Sequence, residues 1–464
     1  MQTIPNGSTR AKGQVVNAER ASQQTPFGPI LWSSCLAMFA VGANSTAIMA
    51  ALPSIRTELS LSPAGVEWAV NCYLVVSAAF VVLGGQAADR FGARRASMAG
   101  LALFGGASCL IATAGTEAVL LIGRALQGLA AAFAVPSTLA AIDMSAPPDR
   151  RAVAIGAWTG FLMLGFSSGP LLGGAFTHIT GWRGIFWLDV PLMLTAIAGM
   201  ASAAPATAHD TPRRRADWVG FVLLATLMVS LVFGLHALPH AKVAPIPVVG
   251  AFALAATALV LLLIVEPRME TPLVDLSFFA RRRFVVGVAI GSLSMFSIMS
   301  LLLYFNLYAQ SREGLGLTAL ETGASLLPLS AALLALALSA STVAARAGLR
   351  NAVTGGMALI AIGSAIIGMG IVRSGILAIG FLVMGAGLAV PYALAPRLAL
   401  SALSPAQVGQ GSGIVNACTF LGGSAGVACG ATAFATGGFI AVLALIAIAG
   451  LIGAALSRWI SETT

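Results

Sequence analysis

Two charged residues lie where apolar surroundings make charge expensive. Arg124 falls inside the apolar stretch 118–142 and Asp189 inside 183–203. A charge kept in such a place needs a partner or a task. A carboxylate there can be protonated and deprotonated in turn. Asp189 is therefore the first candidate for a group that changes charge, with Arg124 as its partner. Glu67, just before the stretch 68–88, and Asp143, just after 118–142, are the next candidates and rank behind it. Counting 1.5 Å per residue from the helix ends puts Arg124 roughly 9–10 Å deep and Asp189 at a similar depth, so the two are able to meet.

Other chemistries find no residues. Neither lysine, Lys12 or Lys242, follows a glycine, so no GxxxxGK[ST] phosphate loop exists to serve an ATP-driven pump. The four histidines (His178, His209, His236, His240) sit at or near loops and show no H-E-x-x-H spacing. Cys35, Cys72, Cys109, Cys418 and Cys429 lie within apolar runs and read as small buried residues, not as metal ligands or disulfide partners. The chain is read as not an enzyme, with no catalytic residues, no metal and no cofactor.

The elements that must position these charges follow from composition. Hydrophobic residues make up 58% of the chain and charged residues 9%, against about 25% charged in a soluble domain. Apolar runs near 20 residues recur from end to end, each able to span about 30 Å of hydrocarbon as a helix. The strand-like alternation of an outer-membrane barrel is absent. The fold class is an all-α polytopic membrane protein with fourteen crossings, opening with 30–53 and 68–88 and closing with 409–433 and 437–457. Residues 1–29 are polar, and the first apolar run starts too late for a cleaved signal, so they read as a disordered cytoplasmic tail. With that tail inside, Arg56, Arg183, Lys242, Arg312 and Arg373 fall outside. Every other lysine and arginine except Arg124 falls inside. This is the positive-inside pattern of a cell (inner) membrane protein with both termini cytoplasmic. It accounts for the net charge of +9 without nucleic acid as a partner.

The chain also repeats itself. Arg90-Phe91-Gly92-Ala93-Arg94 recurs as Arg346-Ala347-Gly348-Leu349-Arg350, and Ala134-Val135-Pro136 as Ala389-Val390-Pro391. Gly165, Gly169 and Gly173 recur as Gly422, Gly426 and Gly430. A near-constant offset at matching places in the helix order implies two parallel six-helix bundles, 30–203 and 284–457. Residues 204–283 then form a linker with two extra membrane helices and an amphipathic segment, and 458–464 a short cytoplasmic tail. Two rigid bundles around one midplane site suit alternating access.

Three segments carry further physics. Gly84-Gly85-Gln86-Ala87-Ala88-Asp89-Arg90-Phe91-Gly92-Ala93-Arg94-Arg95 must turn within a few residues, and Asp89 with Arg90 and Arg94 can clasp neighbouring helices in one global state. Gly165, Gly169 and Gly173 let two helices approach closely, and Pro170 bends the one that carries them. Arg124-Ala125-Leu126-Gln127-Gly128 places the buried arginine on a helix.

The first of these segments resembles the signature loop of the major facilitator superfamily, and the resemblance extends over about 30–457. Arg124 to Gly128 resembles that family's arginine motif, and Gly165 to Gly174 the antiporter motif of its drug-exporting branches. Ala51-Leu52-Pro53 closing helix 1, Trp182 to Phe186, and Gly411-Ser412-Gly413 with Asn416 look like the fourteen-helix drug:proton antiporter branch. The resemblance implies a secondary active transporter, a proton-coupled exporter of amphipathic drug-like or toxic small molecules. It would be driven by the proton gradient, surrounded by lipid and act as a monomer. The alternatives are a dedicated exporter or importer of a single metabolite or lipid, and a transporter-like sensor without flux.

The resemblance implies that Arg124 helps relay protons, and that Asn44, Thr46, Tyr304, Asn306, Tyr308 and Tyr392 line the substrate cavity. It implies conformational gating at Gly85, Asp89, Arg90, Gly92, Arg94, Gly165, Gly169, Pro170 and Gly173. The chain departs from the branch in two places. Asn44 stands where an aspartate is usual in helix 1, and Asp189 stands where an asparagine is usual in helix 6.

Overall fold

The computed structural model describes residues 27–202, 217–238, 245–269, 272–371, 374–404 and 407–460. Most of the tail expected over 1–29 lies outside them, as do Arg213 to Arg215, Lys242, Arg373 and residues 461–464. Among the described residues every regular element is helical. The first bundle runs α1 (Phe27–Leu59), α2 (Pro63–Phe91), α3 (Ala93–Ala112), α4 (Glu117–Ser145), α5 (Arg151–Ile179) and α6 (Arg183–Ser202). A hairpin follows, α7 (Trp218–Ala237) and α8 (Pro245–Val265). The second bundle is α9 (Arg282–Gln310), α10 in two pieces (Ala319–Ser325 and Leu327–Ala347), α11 (Leu349–Gly370), α12 (Ser374–Leu400) and the run Val408–Ser457. That run leaves helical geometry at Gly437 (φ −145°, ψ 19°) and Gly438 (φ 62°, ψ −157°), which divides it into α13 (408–436) and α14 (439–457).

Among the described residues thirteen helices are long and apolar enough to cross a membrane, and the Gly437–Gly438 break makes two of the last. Their exterior is as apolar as their interior. The apolar window of α8 is only 28% buried at a mean hydropathy of 2.8, with Ile246, Val249 and Leu254 turned outward. Such a face is intolerable in water and ordinary against lipid. The molecule is a multi-pass membrane protein, with fourteen crossing helices among its described residues.

Helix pairing repeats. In the first bundle α1 runs along α5, α2 along α4, and α3 along α4 and α6. Eight helices later α9 runs along α13, α10 along α12, and α11 along α12 and α14. The glycine spacing explains the closest of these pairs. A methyl at Gly165 would sit 2.8 Å from Ala43 N, one at Gly169 2.7 Å from Ala43 O, and one at Gly173 2.8 Å from Ala47 Cα. Only glycine lets α5 lie this close to α1. Gly422 and Gly426 set α13 against Ser292 and Phe296 of α9 in the same way. The two bundles meet where α2 faces α13, where α5 faces both pieces of α10, and where α1 faces α9.

Two boundaries differ from expectation. Helix 1 does not close at Pro53 but continues to Leu59, because an internal proline removes one backbone donor and the rest of the ladder persists. Helix 10 is broken at Leu326, immediately before Leu327-Pro328, where helical geometry is disfavoured next to the ring. The segment expected to be amphipathic forms two short 3₁₀ turns, Glu266–Arg268 and Leu276–Ala280. Phe278 is buried there against Phe284 while Phe279 is exposed. Below, the near end is the one where α1 begins and the far end the one where it finishes.

Candidate functional site

Toward the far end of the first bundle, four helices bring five polar side chains into a closed ring. Arg124 and Gln127 stand three residues apart on α4 and so share a face. Arg124 Nη1 donates to Asn44 Oδ1 of α1 and to Gln127 Oε1, both at 2.8 Å. Asn44 Nδ2 donates to Asp189 Oδ2 of α6 at 2.7 Å. On the other arm Gln127 Nε2 donates to Ser108 Oγ of α3 at 2.8 Å, and Ser108 Oγ donates to Asp189 Oδ2 at 3.0 Å. Arg124 and Asp189 are thus joined through two neutral relays, and Asn44 stands between them.

Neighbouring residues fix the arginine. Its Nε donates to Ala69 O of α2 at 2.8 Å, and its guanidinium lies 4.7 Å from the centre of the Tyr73 ring. This approach depends on Gly128, where a methyl would come within 3.0 Å of Tyr73 Cα. Tyr73 OH accepts from Ser45 Oγ at 3.2 Å. Arg124, Gln127 and Ser108 are fully buried, and Asp189 is 4% exposed. Arg124 Nη2 has no hydrogen-bond acceptor. Opposite charges held in low dielectric and linked by charge-assisted hydrogen bonds form a strongly coupled unit. Adding a proton to Asp189 cancels one charge and disturbs every link of the ring.

The other expected site residues lie elsewhere. Glu67 faces His236 of α7, with 2.8 Å between Oε2 and Nδ1. Asp143 pairs with Arg151 on the surface where α4 leads into α5. Thr46 Oγ1 donates to Phe166 O of α5 at 3.1 Å and lines a small cavity of about 10 Å³ between the bundles, together with Phe166, Pro170, Leu302 and Leu388. That is room for roughly one water. Tyr392 of α12 reaches across the seam and sets its ring edge on Phe166, 6.4 Å between centres. Tyr304, Asn306 and Tyr308 turn into their own bundle. Tyr304 OH donates to Val427 O at 2.6 Å, Asn306 Nδ2 to Leu302 O at 2.7 Å, and Tyr308 stacks on Phe439.

The loop residues are fastened within the first bundle. Arg94 donates to Met200 O (2.8 Å) and Ala201 O (2.5 Å), satisfying the last carbonyls of α6. Arg90 lies over Phe91. Gly92 takes φ 88° and its repeat Gly348 takes φ 83°, a left-handed geometry that lets each helix turn directly into the next. A methyl at Gly85 would meet nothing within 4 Å. At the far end the bundles meet backbone to backbone. A methyl at Gly323 would lie 3.1 Å from Leu171 Cα beside Pro170, and Gln310 Nε2 donates to Ala50 O at 2.9 Å. At the near end side-chain tips make the contact, as Leu338 does at Gly160.

Gln127 and Ser108 were absent from the expected site. Gln127 was visible in the helix 4 motif, one turn after Arg124. Nothing in the sequence distinguishes Ser108 from the many other serines in apolar runs.

Two bundles of repeated pairing, meeting around a midplane seam with a buried charge network, define a transporter rather than an enzyme. Comparison with known proteins agrees. The sequence profile described as Major Facilitator Superfamily matches residues 34–426. The tetracenomycin C resistance and export protein of Streptomyces glaucescens is 30% identical over 406 residues, 86% of this chain and 74% of the relative. The cephamycin export protein CmcT of Amycolatopsis lactamdurans is 30% identical over 425 residues, 88% and 85%. A crystal structure of an auto-inhibited POT family peptide transporter shares the fold, with a TM-score of 0.67 at 14% identity, over 94% of this chain and 97% of the other. This chain belongs to the Major Facilitator Superfamily.

Proposed function

We propose that the chain is a proton-coupled exporter of amphipathic small molecules, driven by the proton gradient across a cell membrane and needing no other cofactor. The observation that carries this reading is the ring joining Arg124 to Asp189 through Asn44. Its one carboxylate is buried and shared among four helices, so its charge state bears on how those helices pack. One helix of the ring, α1, also meets the second bundle, where Gln310 donates to Ala50 O, and its Thr46 bonds α5, whose Phe166 touches Tyr392. Protonation of Asp189 then biases the seam between an arrangement open at the near end and one open at the far end. The arginine pattern favours the near end as cytoplasmic, with both termini there. Thr46, Phe166 and Tyr392, with aliphatic neighbours, suit a weakly polar amphipathic cargo. The protein acts as a monomer in lipid.

A dedicated exporter of one compound is the second reading, favoured because the relatives above are named for single compounds. The deciding experiment is ethidium flux into proteoliposomes with and without an imposed pH gradient, for wild type and Asp189→Asn. Gradient-driven flux lost in the variant supports the proposal. Undiminished flux in the variant removes Asp189 from coupling. No ethidium flux in wild type moves the assignment to the single-compound exporter.

A further inference from the structure

We propose that Glu67 and His236 form a second proton-binding site, at which the α7–α8 hairpin is fastened to the first bundle. Only the consequence for transport rests on the proton-coupled reading above.

The geometry requires a proton. His236 Nδ1 lies 2.8 Å from Glu67 Oε2, within ion-pair distance but off the line of a hydrogen bond, and among the described residues no hydrogen bond reaches that nitrogen. A carboxylate oxygen and a bare imidazole nitrogen are both acceptors and repel at that distance. The contact is favourable only with a proton on the pair, one that charges the imidazole or neutralises the carboxylate. His236 is 8% exposed, so water cannot substitute freely. Its ring stands edge-on to Trp68, 5.2 Å between centres, and Phe233 closes the other side of the indole. Tyr304 of α9, whose hydroxyl is given to Val427 O, and Cys429 of α13 are the other titratable groups in this part of the seam. Among the described residues no lysine, arginine or second acid pairs with either group. Histidine is the side chain whose ordinary titration lies closest to neutrality.

The placement gives the proton a mechanical effect. At the near end the hairpin is tied to the second bundle. Asp217 caps α7 through Gly220 N (2.8 Å) and accepts from Leu273 N (3.4 Å), and Glu266 accepts from Val274 N (3.3 Å). The same stretch is gripped by Gln410 of α13, whose Nε2 donates to Pro272 O (2.8 Å) and Leu273 O (3.0 Å). At the far end the hairpin is tied to α2 of the first bundle through Glu67 and His236. One turn further along α2, Asn71 accepts from Ser424 of α13 across the seam at 2.8 Å. The hairpin therefore lies across the α2–α13 seam, packed on α2 through Phe221 on Phe80 and Phe233 on Trp68, and the proton adds or removes the charged part of its far fastening.

Trp68 supplies the readout, since a protonated imidazole quenches a neighbouring indole. Full-length protein in nanodiscs is titrated between about pH 5 and 8, the range in which histidine ordinarily changes charge. Because the chain has seven tryptophans, the signal is the difference between wild type and Trp68→Phe. The difference emission is expected to rise with pH, to be flat in His236→Gln, and to move its midpoint to lower pH in Glu67→Gln. A flat wild-type difference, or one unchanged in His236→Gln, overturns the site. In proteoliposomes His236→Gln is expected to lower gradient-driven ethidium flux by roughly fivefold or more, the lower edge of ordinary coupling between sites. Flux equal to wild type at every pH overturns the role in transport. A normal Trp68 titration in a wild type that shows no gradient-driven flux overturns the proton-coupled reading and leaves the site standing.

Discussion

Asn44 of α1 donates a 2.7 Å hydrogen bond to the carboxylate of Asp189 of α6, 145 positions further along the chain. These are the two positions at which the sequence departs from the drug:proton antiporter pattern, and the departures are one event in space. The acid stands on the helix where the amide is usual and the amide where the acid is usual, and the two touch. Asp189→Asn is expected to cut gradient-driven flux by roughly 5- to 150-fold, the usual range of coupling between sites. The exchanged pair Asn44→Asp with Asp189→Asn returns a carboxylate to the same ring and is expected to recover much of the loss. Ethidium flux in proteoliposomes checks both, and a double variant as inactive as Asp189→Asn would show that the carboxylate must stand on α6.

Arg124 is the counter-charge of that ring. Arg124→Ala leaves a buried carboxylate uncompensated, which costs about 3–5 kcal/mol. The thermal unfolding midpoint in detergent is expected to fall accordingly. Adding Asp189→Asn to the same chain is expected to recover most of the fall, because no bare charge then remains. Arg124→Lys keeps the charge but cannot reach Ala69 O, Asn44 Oδ1 and Gln127 Oε1 together, and is expected to lie between.

The α1–α5 contact separates glycines that are needed from those that are not. Gly169→Ala drives a methyl to 2.7 Å from Ala43 O, and overpacking of this kind costs about 1–3 kcal/mol. Gly156→Ala, on the same helix with nothing within 4 Å, is expected to leave the unfolding midpoint unchanged or slightly raised. Equal midpoints for the two would mean that α5 does not lie against α1 as described.

The near-end loop offers the same contrast for backbone conformation. Gly92 holds φ 88°, and Gly92→Ala is expected to cost about 1–2 kcal/mol through left-handed strain. Gly85→Ala, with open space around it, is expected to be neutral. Thermal unfolding of the two variants side by side measures the difference.

The sequence made the helices legible because an apolar run of sufficient length has one stable form in lipid. Even the break at Gly437–Gly438 sits at the start of the last expected span. Depth was legible too. Counting along the helix placed Arg124 and Asp189 at one level, since rise per residue is fixed. Rotation about the helix axis was not. Helices apolar all round give no sign of which face turns inward, so Tyr304, Asn306 and Tyr308 were expected at the central cavity and instead turn into their own bundle. Neutral relays were equally silent. Ser108 is distinguished only by being fully buried beside Asp189. His236 read as a residue near a loop, although it lies buried in the last turn of α7 against Glu67.

The ring around Asp189 also has a sense of direction. Along both arms each donor points the same way, out of Arg124 and into the single oxygen Oδ2. It resembles a circuit with one source and one sink. A hydrogen placed on that oxygen makes it a donor as well and a weaker acceptor, so its bonds from Asn44 Nδ2 and Ser108 Oγ both slacken. Because these groups ride on α1 and α3, and both arms return to α4, the change does not stay within one side chain. The arrival of a single proton is felt by three helices besides the one that receives it.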